Sequence, residues 1–287
     1  MKKISPYLFF LFLLFSCEDV IEVDVPAEEP RLIVEALIRL DPNDSFHMPV
    51  VKVSLTSSFF GSIPLTGLRD ITIINLSLPT AGGGNFIVLE ETAPGSGEYQ
   101  DPDPVPTRFF EGGELLLQLE HEGRRYFART FYALSAPMDD LQQGDETLFD
   151  DDDIELEVTI TDDGTADNFY VLDYGEGEFL ALEDKFFNGE QFSFSFFPER
   201  TLNPGDEVTV SIMGADREFF NYMDLLVEQT TDNQGVFETP VATARGNIFD
   251  VTDLDNIDLF DNVGQPDVFP LGYFAVVQEY KRTITIE

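Results

Sequence analysis

The sequence of 287 residues contains one cysteine, Cys17. A single cysteine cannot form an intramolecular disulfide, which exported chains of this length often use. Zinc sites need clustered cysteine or histidine ligands, and the sequence has no such cluster. Because the leader described below assigns Cys17 to lipid attachment, no cysteine remains for a Cys–His protease.

Histidine is almost as rare, and this argues against several classes of enzyme. A nucleophilic triad needs a base, and only His47 and His121 are present. His121 lies beside a predicted hairpin turn and is expected to be solvated, while His47 has no nucleophile elbow near it in sequence. Gly82, Gly83 and Gly84 are not followed by the Lys-Ser/Thr of a P-loop. With 55 acidic residues, the presence of two carboxylates that could act together is not a specific sign of catalysis. No catalytic group is identified, and we predict that the protein is not an enzyme.

Tryptophan is absent, which removes the side chain most often used to stack on sugars. Phenylalanine is abundant, with 28 residues. Four adjacent pairs suggest either an aromatic binding face or the core of a β-sandwich, and we favour the core. The pairs are Phe59-Phe60, Phe109-Phe110, Phe186-Phe187 and Phe196-Phe197.

Basic residues are few, and the chain is strongly acidic. Sixteen Lys and Arg face 55 Asp and Glu. Removal of a leader containing Lys2 and Lys3 leaves 14 basic residues, so the net charge becomes 14 − 55 = −41. Such a surface repels nucleic acid and anionic headgroups. A surface solvated in salty water explains the acidity better than one loaded with metal ions.

Calcium is the only cofactor that the sequence leaves open, because carboxylate oxygens suit this ion. Acidic stretches occur at residues 149–154, 161–168 and 250–262, and none matches an EF-hand loop. The third stretch is the best candidate, but solvated charge runs are the favoured interpretation of all three. Its possible ligands are Asp250, Asp253, Asp255 and Asp258.

The N-terminus predicts lipid anchoring. Lys2 and Lys3 precede an apolar run at residues 4–15, which is too short to cross a bilayer. The run ends in Leu14-Phe15-Ser16-Cys17, a lipobox. We therefore predict a signal peptide at 1–16, a diacylglyceryl Cys17 with an acylated (for example palmitoylated) amine, and an acidic tether at 17–29. The alternative is ordinary secretion with a free thiol.

The rest of the chain predicts a mainly all-β protein of two β-sandwich domains, Ig-like or transthyretin-like. Short alternating segments with turn signals cover residues 30–136, and an acidic junction follows at 137–153. Residues 154–287 are predicted to form a second β-rich domain with an amphipathic helix near 217–231, N-capped by Asp216. Its clearest strand places Ile154, Leu156, Val158 and Ile160 inward.

Three segments resemble the DUF4249 lipoproteins of Bacteroidota. They are SCEDVIEVDVPAEEPRLIVEALI, EDKFFNGEQFSF…LNPGDEVTVSI and TPVATARGNIF…PLGYFAVVQEYKRTITI. Within the third, Gly246-Asn247-Ile248 and Leu271-Gly272-Tyr273-Phe274 match the family pattern. The resemblance implies an all-β lipoprotein of the outer membrane whose gene often neighbours those of TonB-dependent transporters. It supplies no catalytic residues.

These observations lead to one expected function and one alternative. The expected function is a binding or accessory subunit of a TonB-dependent transporter in nutrient uptake. The alternative is a structural lipoprotein of an envelope or surface assembly, without a ligand of its own. The lipid is expected to hold the protein at the outer membrane, and Glu18-Asp19 favours the cell-surface side over the periplasmic side. No nucleic-acid partner is expected.

Overall fold

In the part of the chain that the structure describes, the fold consists mainly of β-strands, with one long helix. The computed structural model describes residues 29–57, 62–80, 82–148, 153–231, 243–252, 254 and 269–287. The strands are β1 (Leu32–Leu40), β2 (Phe46–His47), β3 (Val50–Leu55), β4 (Asp70–Asn75), β5 (Phe86–Val88), β6 (Glu90–Glu91), β7 (Glu98–Gln100), β8 (Val105–Pro106), β9 (Glu114–His121), β10 (Arg124–Ala133), β11 (Met138–Gln143), β12 (Leu156–Thr161), β13 (Phe169–Asp173), β14 (Phe179–Glu183), β15 (Gln191–Phe196), β16 (Glu207–Ala215), β17 (Phe249–Asp250) and β18 (Leu271–Thr285). The predicted all-β class is confirmed.

The first half of the chain forms a strongly curved sheet, called here the rolled sheet. Its strand order is β5-β4-β9-β10-β18-β1-β3-β7-β6. Alternate residues face its core, as the period of a half-buried strand requires, and Val34, Ala36 and Ile38 of β1 are at most 1% exposed. Residues 86–91 join the two edges, because β5 pairs with β4 while β6 pairs with β7. The sheet is therefore nearly closed.

The strand registers give the rolled sheet two different ends. At one end β1 and β18 begin, and β9 ends beside the start of β10. The chain before residue 29 joins here, so we call this the tether end. At the opposite end, the far end, β4 ends beside the start of β5, and β10 and β18 continue into the second half of the molecule.

The last strand, β18, belongs to both halves. From Leu271 to Gln278 it runs parallel to β1, and from Glu279 to Thr285 it runs antiparallel to β16. The sequence division placed residues 154–287 in one C-terminal domain. Strand pairing corrects this boundary, because β17 and the first part of β18 lie in the rolled sheet. Alternation identifies a strand, but it does not identify the strand's partner.

The second half is a two-layer sandwich. One layer contains β14, β13, β16 and the end of β18, and the other has the order β11-β12-β15. Leu156, Val158 and Ile160 point inward as predicted, and each is fully buried. They pack against Val210 and Ile212 of the opposite layer. Because β11 lies at 138–143, it adds a strand of this sandwich to the predicted junction at 137–153.

The helix α1 (Arg217–Thr231) matches the predicted residues 217–231. Asp216 caps it, since the Phe219 N–H donates to Asp216 Oδ1 at 2.7 Å. Phe219 and Met223 of its apolar face are buried against β13, β16 and β18. No helix in the described ranges is long and apolar enough to cross a membrane.

Asn247 fastens β10 to β18 where these two strands are not paired directly. Its Nδ2 donates to the carbonyls of Arg129 at 3.0 Å and Phe274 at 2.8 Å, and its Oδ1 accepts the Phe274 N–H at 2.8 Å.

A Cβ on Gly246 would lie 1.5 Å from the Gly272 carbonyl oxygen. Gly272 itself has φ +94°, and its Cβ would lie 1.9 Å from the Val34 carbonyl oxygen. Both positions therefore require glycine.

Candidate functional site

A cleft opens at the far end of the rolled sheet. Its volume is about 470 Å³, within the usual range for small-molecule sites, and the mouths of rolled sheets are common positions for such sites. One wall is the start of β5 with the loop before it, and the other is the segment from Asp101 to Pro106. The lining residues are Leu78, Gly84, Phe86, Ile87, Asp101, Asp103, Pro104, Val105, Pro106, Arg108 and Phe109.

The floor of the cleft is rigid and apolar. Val105 and Phe109 are 4% and 6% exposed and belong to the core of the rolled sheet. Phe86 on the wall is 45% exposed, so its ring is available to a ligand. On the other wall the Asp103 N–H donates to Asp101 Oδ1 at 2.9 Å, which fixes the turn before Pro104. The cleft thus presents an apolar surface with two carboxylates at its rim.

Arg108 adds one positive group to this rim. It is exposed and lies in a short 3₁₀ helix, Thr107–Phe109. No carboxylate of the described residues makes a salt bridge with it. A guanidinium without an intramolecular partner can bind a carboxylate or phosphate of a ligand. Sequence patterns did not predict this cleft. An arginine close to Pro104 and Pro106 in so acidic a chain is a feature that could have indicated an anion-binding position.

An ion network lies where the rolled sheet meets the sandwich. Arg39, near the end of β1, donates from Nε to Glu279 Oε1 at 2.6 Å and from Nη1 to Asp173 Oδ2 at 2.7 Å. It also donates to the Ser211 hydroxyl at 2.5 Å. Glu279 is 2% exposed and contacts Lys281 at 2.8 Å. These bonds join β1, β13, β16 and β18, so the network holds the two halves together.

His47 lies near this network and is partly buried. Burial is the main cause that lowers its pKa, while Asp44 and Glu279 act in the opposite direction. Its ring meets Phe110 edge-on at 6.2 Å between centroids. Burial therefore favours the neutral imidazole, which packs as an aromatic side chain.

The expectation that His121 is solvated is wrong. His121 is 6% exposed, and its Nε2 lies 2.8 Å from the Thr66 hydroxyl. The reason is register: Leu115, Leu117 and Leu119 face the core, and the period of two places residue 121 on the same face.

Of the four possible calcium ligands, only Asp250 lies among the described residues. Asp250 Oδ1 accepts the Thr252 N–H at 3.0 Å, and its Oδ2 pairs with Arg124 at 3.0 Å. Asp253, Asp255 and Asp258 lie outside the described residues, as does the lipid candidate Cys17. No group of three His, Cys, Asp or Glu side chains suited to a metal occurs in the described part.

Two acids near the second acidic stretch have structural partners. Asp162 accepts the Tyr170 hydroxyl at 2.5 Å and the Gly189 N–H at 2.8 Å. Asp184, 1% exposed, accepts the Asn168 N–H at 2.7 Å. Burial raises the pKa of Asp184, the Asn168 bond lowers it, and the nearby Asp162 raises it further. These carboxylates hold the loop ends of the sandwich.

The phenylalanine pairs divide between core and surface. Phe109 and Phe110 are buried and meet edge-on at 5.1 Å between ring centroids. Phe187 is buried, whereas Phe186 is 88% exposed. Phe59 and Phe60 lie outside the described residues.

Comparison with protein families gives one result. Residues 18–257 match a family described as a domain of unknown function, DUF4249. The chain belongs to the DUF4249 family. The match covers most of the chain and ends before β18, so Leu271-Gly272-Tyr273-Phe274 lies beyond it. No curated protein matches this DUF4249 chain significantly.

The geometry explains three of the residues that carry this DUF4249 resemblance. Asn247 bonds to both β10 and β18, and Gly246 packs against the Gly272 carbonyl oxygen of β18. Their role is to hold the fold together. The cleft is lined by other residues.

Proposed function

We propose that the protein is a lipid-anchored binding subunit that works beside a TonB-dependent transporter of the outer membrane. The main support is the placement of the cleft. The chain from the predicted Cys17 joins the rolled sheet at the tether end, and the cleft lies at the far end. A strand the length of β1 separates the two ends by about 30 Å.

This arrangement suits a protein that takes up a ligand away from the bilayer. A tether at 17–29 spans at most about 40 Å when extended. The body can therefore tilt toward a neighbouring transporter while the lipid stays in the membrane. The acidic composition keeps the body away from anionic headgroups.

The composition of the cleft indicates the class of ligand. Phe86 and Phe109 offer apolar contact, Arg108 offers a site for a carboxylate or phosphate, and Asp101 and Asp103 suit an amine. We therefore propose a small amphipathic ligand with at least one charged group. This combination agrees with the usual design of binding pockets, which are mainly apolar with a few polar groups.

The partner is tested by purification from gently solubilised outer membranes. We expect the wild-type protein to carry a TonB-dependent transporter, and the Cys17→Ala variant to remain in the soluble fraction without one. Mass spectrometry of the mature N-terminus should show a diacylglyceryl cysteine. Recovery of the lipidated protein without any transporter in several detergents would contradict the proposed partner, and an unmodified Cys17 would contradict the anchor.

The cleft is tested by filling it. Gly84 lines the cleft, and a Cβ there meets no atom within 4 Å. In a deletion strain that has lost growth on one nutrient, we expect Gly84→Ala to restore growth and Gly84→Phe to fail, at equal protein levels. Equal growth with both variants would show that the cleft is not used. A broad envelope defect in the deletion strain, rather than loss of one nutrient, would favour the structural role.

A further inference from the structure

Among the described residues, the strand β15 forms an edge of its sheet. It pairs with β12 on one side, and no strand of the described residues pairs with its other side. The Asp162 N–H donates to the Glu190 carbonyl at 3.1 Å. In an antiparallel ladder, hydrogen-bonded pairs alternate with pairs that are not hydrogen-bonded. Counted from the bonded pair Asp162–Glu190, the residues Phe192, Phe194 and Phe196 direct their backbone N–H and C=O groups toward β12. Those of Gln191, Ser193 and Ser195 therefore point to the free edge.

This edge lacks the features that usually prevent pairing. The other edge of the same sheet, β11, carries Asp139 and Asp140 and a register irregularity between Met138 and Asp140. Charged side chains and bulges are the common protection of edge strands. The sequence of β15, QFSFSF, contains no charge, no proline and no irregularity in its register. In so acidic a chain, an uncharged edge strand needs an explanation.

The side chains of β15 form an apolar row that is only partly covered. Phe192 is 36% exposed and stacks on Phe187 with 4.6 Å between ring centroids. Phe194 follows at 6.0 Å from Phe192, and Phe196 stacks on Tyr174 at 3.7 Å. Phe194 and Phe196 are half-buried at the border of the sandwich core. An added strand would cover this row with its own inward side chains.

The charges around the edge indicate which occupant fits. Glu190 directly precedes β15 and Glu199 follows it, and both are exposed. A second copy of this chain would bring a further charge of about −41 and the same two carboxylates. An extended segment with basic ends complements the edge instead.

We propose that β15 binds an extended segment of another protein by strand addition. The segment has basic ends and apolar residues at alternate positions. Backbone hydrogen bonds to Gln191, Ser193 and Ser195 would supply affinity, and contacts with Phe192 and Phe194 would select the apolar side chains. This proposal does not depend on a ligand in the cleft or on a transporter.

The test uses a fluorescent synthetic heptapeptide, Lys-Val-Thr-Val-Thr-Val-Lys, with blocked ends, and measures anisotropy on titration with the mature protein. Ser193→Pro removes one amide at the free edge, and Ser193→Ala is its matched control. Both lose the hydroxyl contact with Thr159, which is 2.7 Å in the wild type. We expect Ser193→Pro to weaken binding about tenfold relative to Ser193→Ala, the effect of one lost backbone hydrogen bond.

A second pair protects the test against misfolding. Gln191→Pro lies at the first position of the strand, where proline is tolerated, and Gln191→Ala is its control. The same peptide with N-methylated valines, or with glutamate in place of its lysines, should bind at least about tenfold more weakly. Equal binding by proline and alanine variants of unchanged melting temperature would overturn the proposal. So would a wild-type dimer in light scattering that Ser193→Pro converts to monomer, because the occupant would then be a second copy.

Discussion

Replacing Gly246 with alanine is expected to destabilise the protein by at least about 3 kcal/mol, because the new Cβ has no space. It would lie 1.5 Å from the Gly272 carbonyl oxygen, which is backbone and cannot rotate away. Relief requires a shift of β18, which lies in both halves of the molecule. For a chain of this size we expect the melting temperature to fall by roughly 6–12 °C, measured by circular dichroism or calorimetry.

Gly67→Ala is the matched control for Gly246→Ala. Its nearest neighbour would be the Tyr99 hydroxyl at 3.8 Å, an ordinary contact. We expect a change of less than about 1 kcal/mol, in the stabilising direction if the unfolded chain loses entropy. A Gly246→Ala protein as stable as Gly67→Ala would show that the segment at Gly246 does not lie against β18 as described.

Replacing Arg39 with methionine is the second large change, with an expected loss of about 3 kcal/mol. The side chains of Arg39 and Asp173 are 28% and 16% exposed, and that of Glu279 is 2% exposed. Removing the guanidinium leaves a buried carboxylate with Lys281 as its remaining cation. Urea unfolding should show a lower midpoint in Arg39→Met than in the wild type.

The surface pair of Arg69 and Glu120 serves as the comparison for Arg39. Arg69 is 76% exposed and 3.0 Å from Glu120, so Arg69→Met should change stability by less than about 1 kcal/mol. In the Arg39→Met background, Glu279→Gln should recover part of the lost stability, because it removes the uncompensated charge. No recovery would mean that Arg39 acts through packing alone.

Local pattern predicted much of the fold. The α1 boundaries and its cap at Asp216 followed from the spacing of apolar residues. The hairpin turn predicted beside His121 is formed by Glu122 and Gly123, whose φ angles are +50° and +78°. These features depend on neighbours in sequence, which is why sequence sufficed. The burial of His121 could also have been predicted, because three leucines at alternate positions before it lie on the same face of the strand.

Partners distant in sequence were not predictable. Pairing of β1 with β18 joins residues about 240 positions apart. Neither segment contains a sequence pattern that identifies the other as its partner. Asn247 was identified only as part of a family pattern, and the sequence did not predict which residues it contacts. The cleft likewise arises where residues 78–87 meet residues 101–109, and neither stretch alone resembles a binding motif.

The dual pairing of β18 has a consequence for biosynthesis. This strand is synthesised after both β1 and β16, yet each of them needs it as a neighbour. Neither half can complete its hydrogen bonding before β18 has been made, and pairing over such long separations is slow. Completion of the rolled sheet and of the sandwich is therefore coupled to the synthesis of one strand.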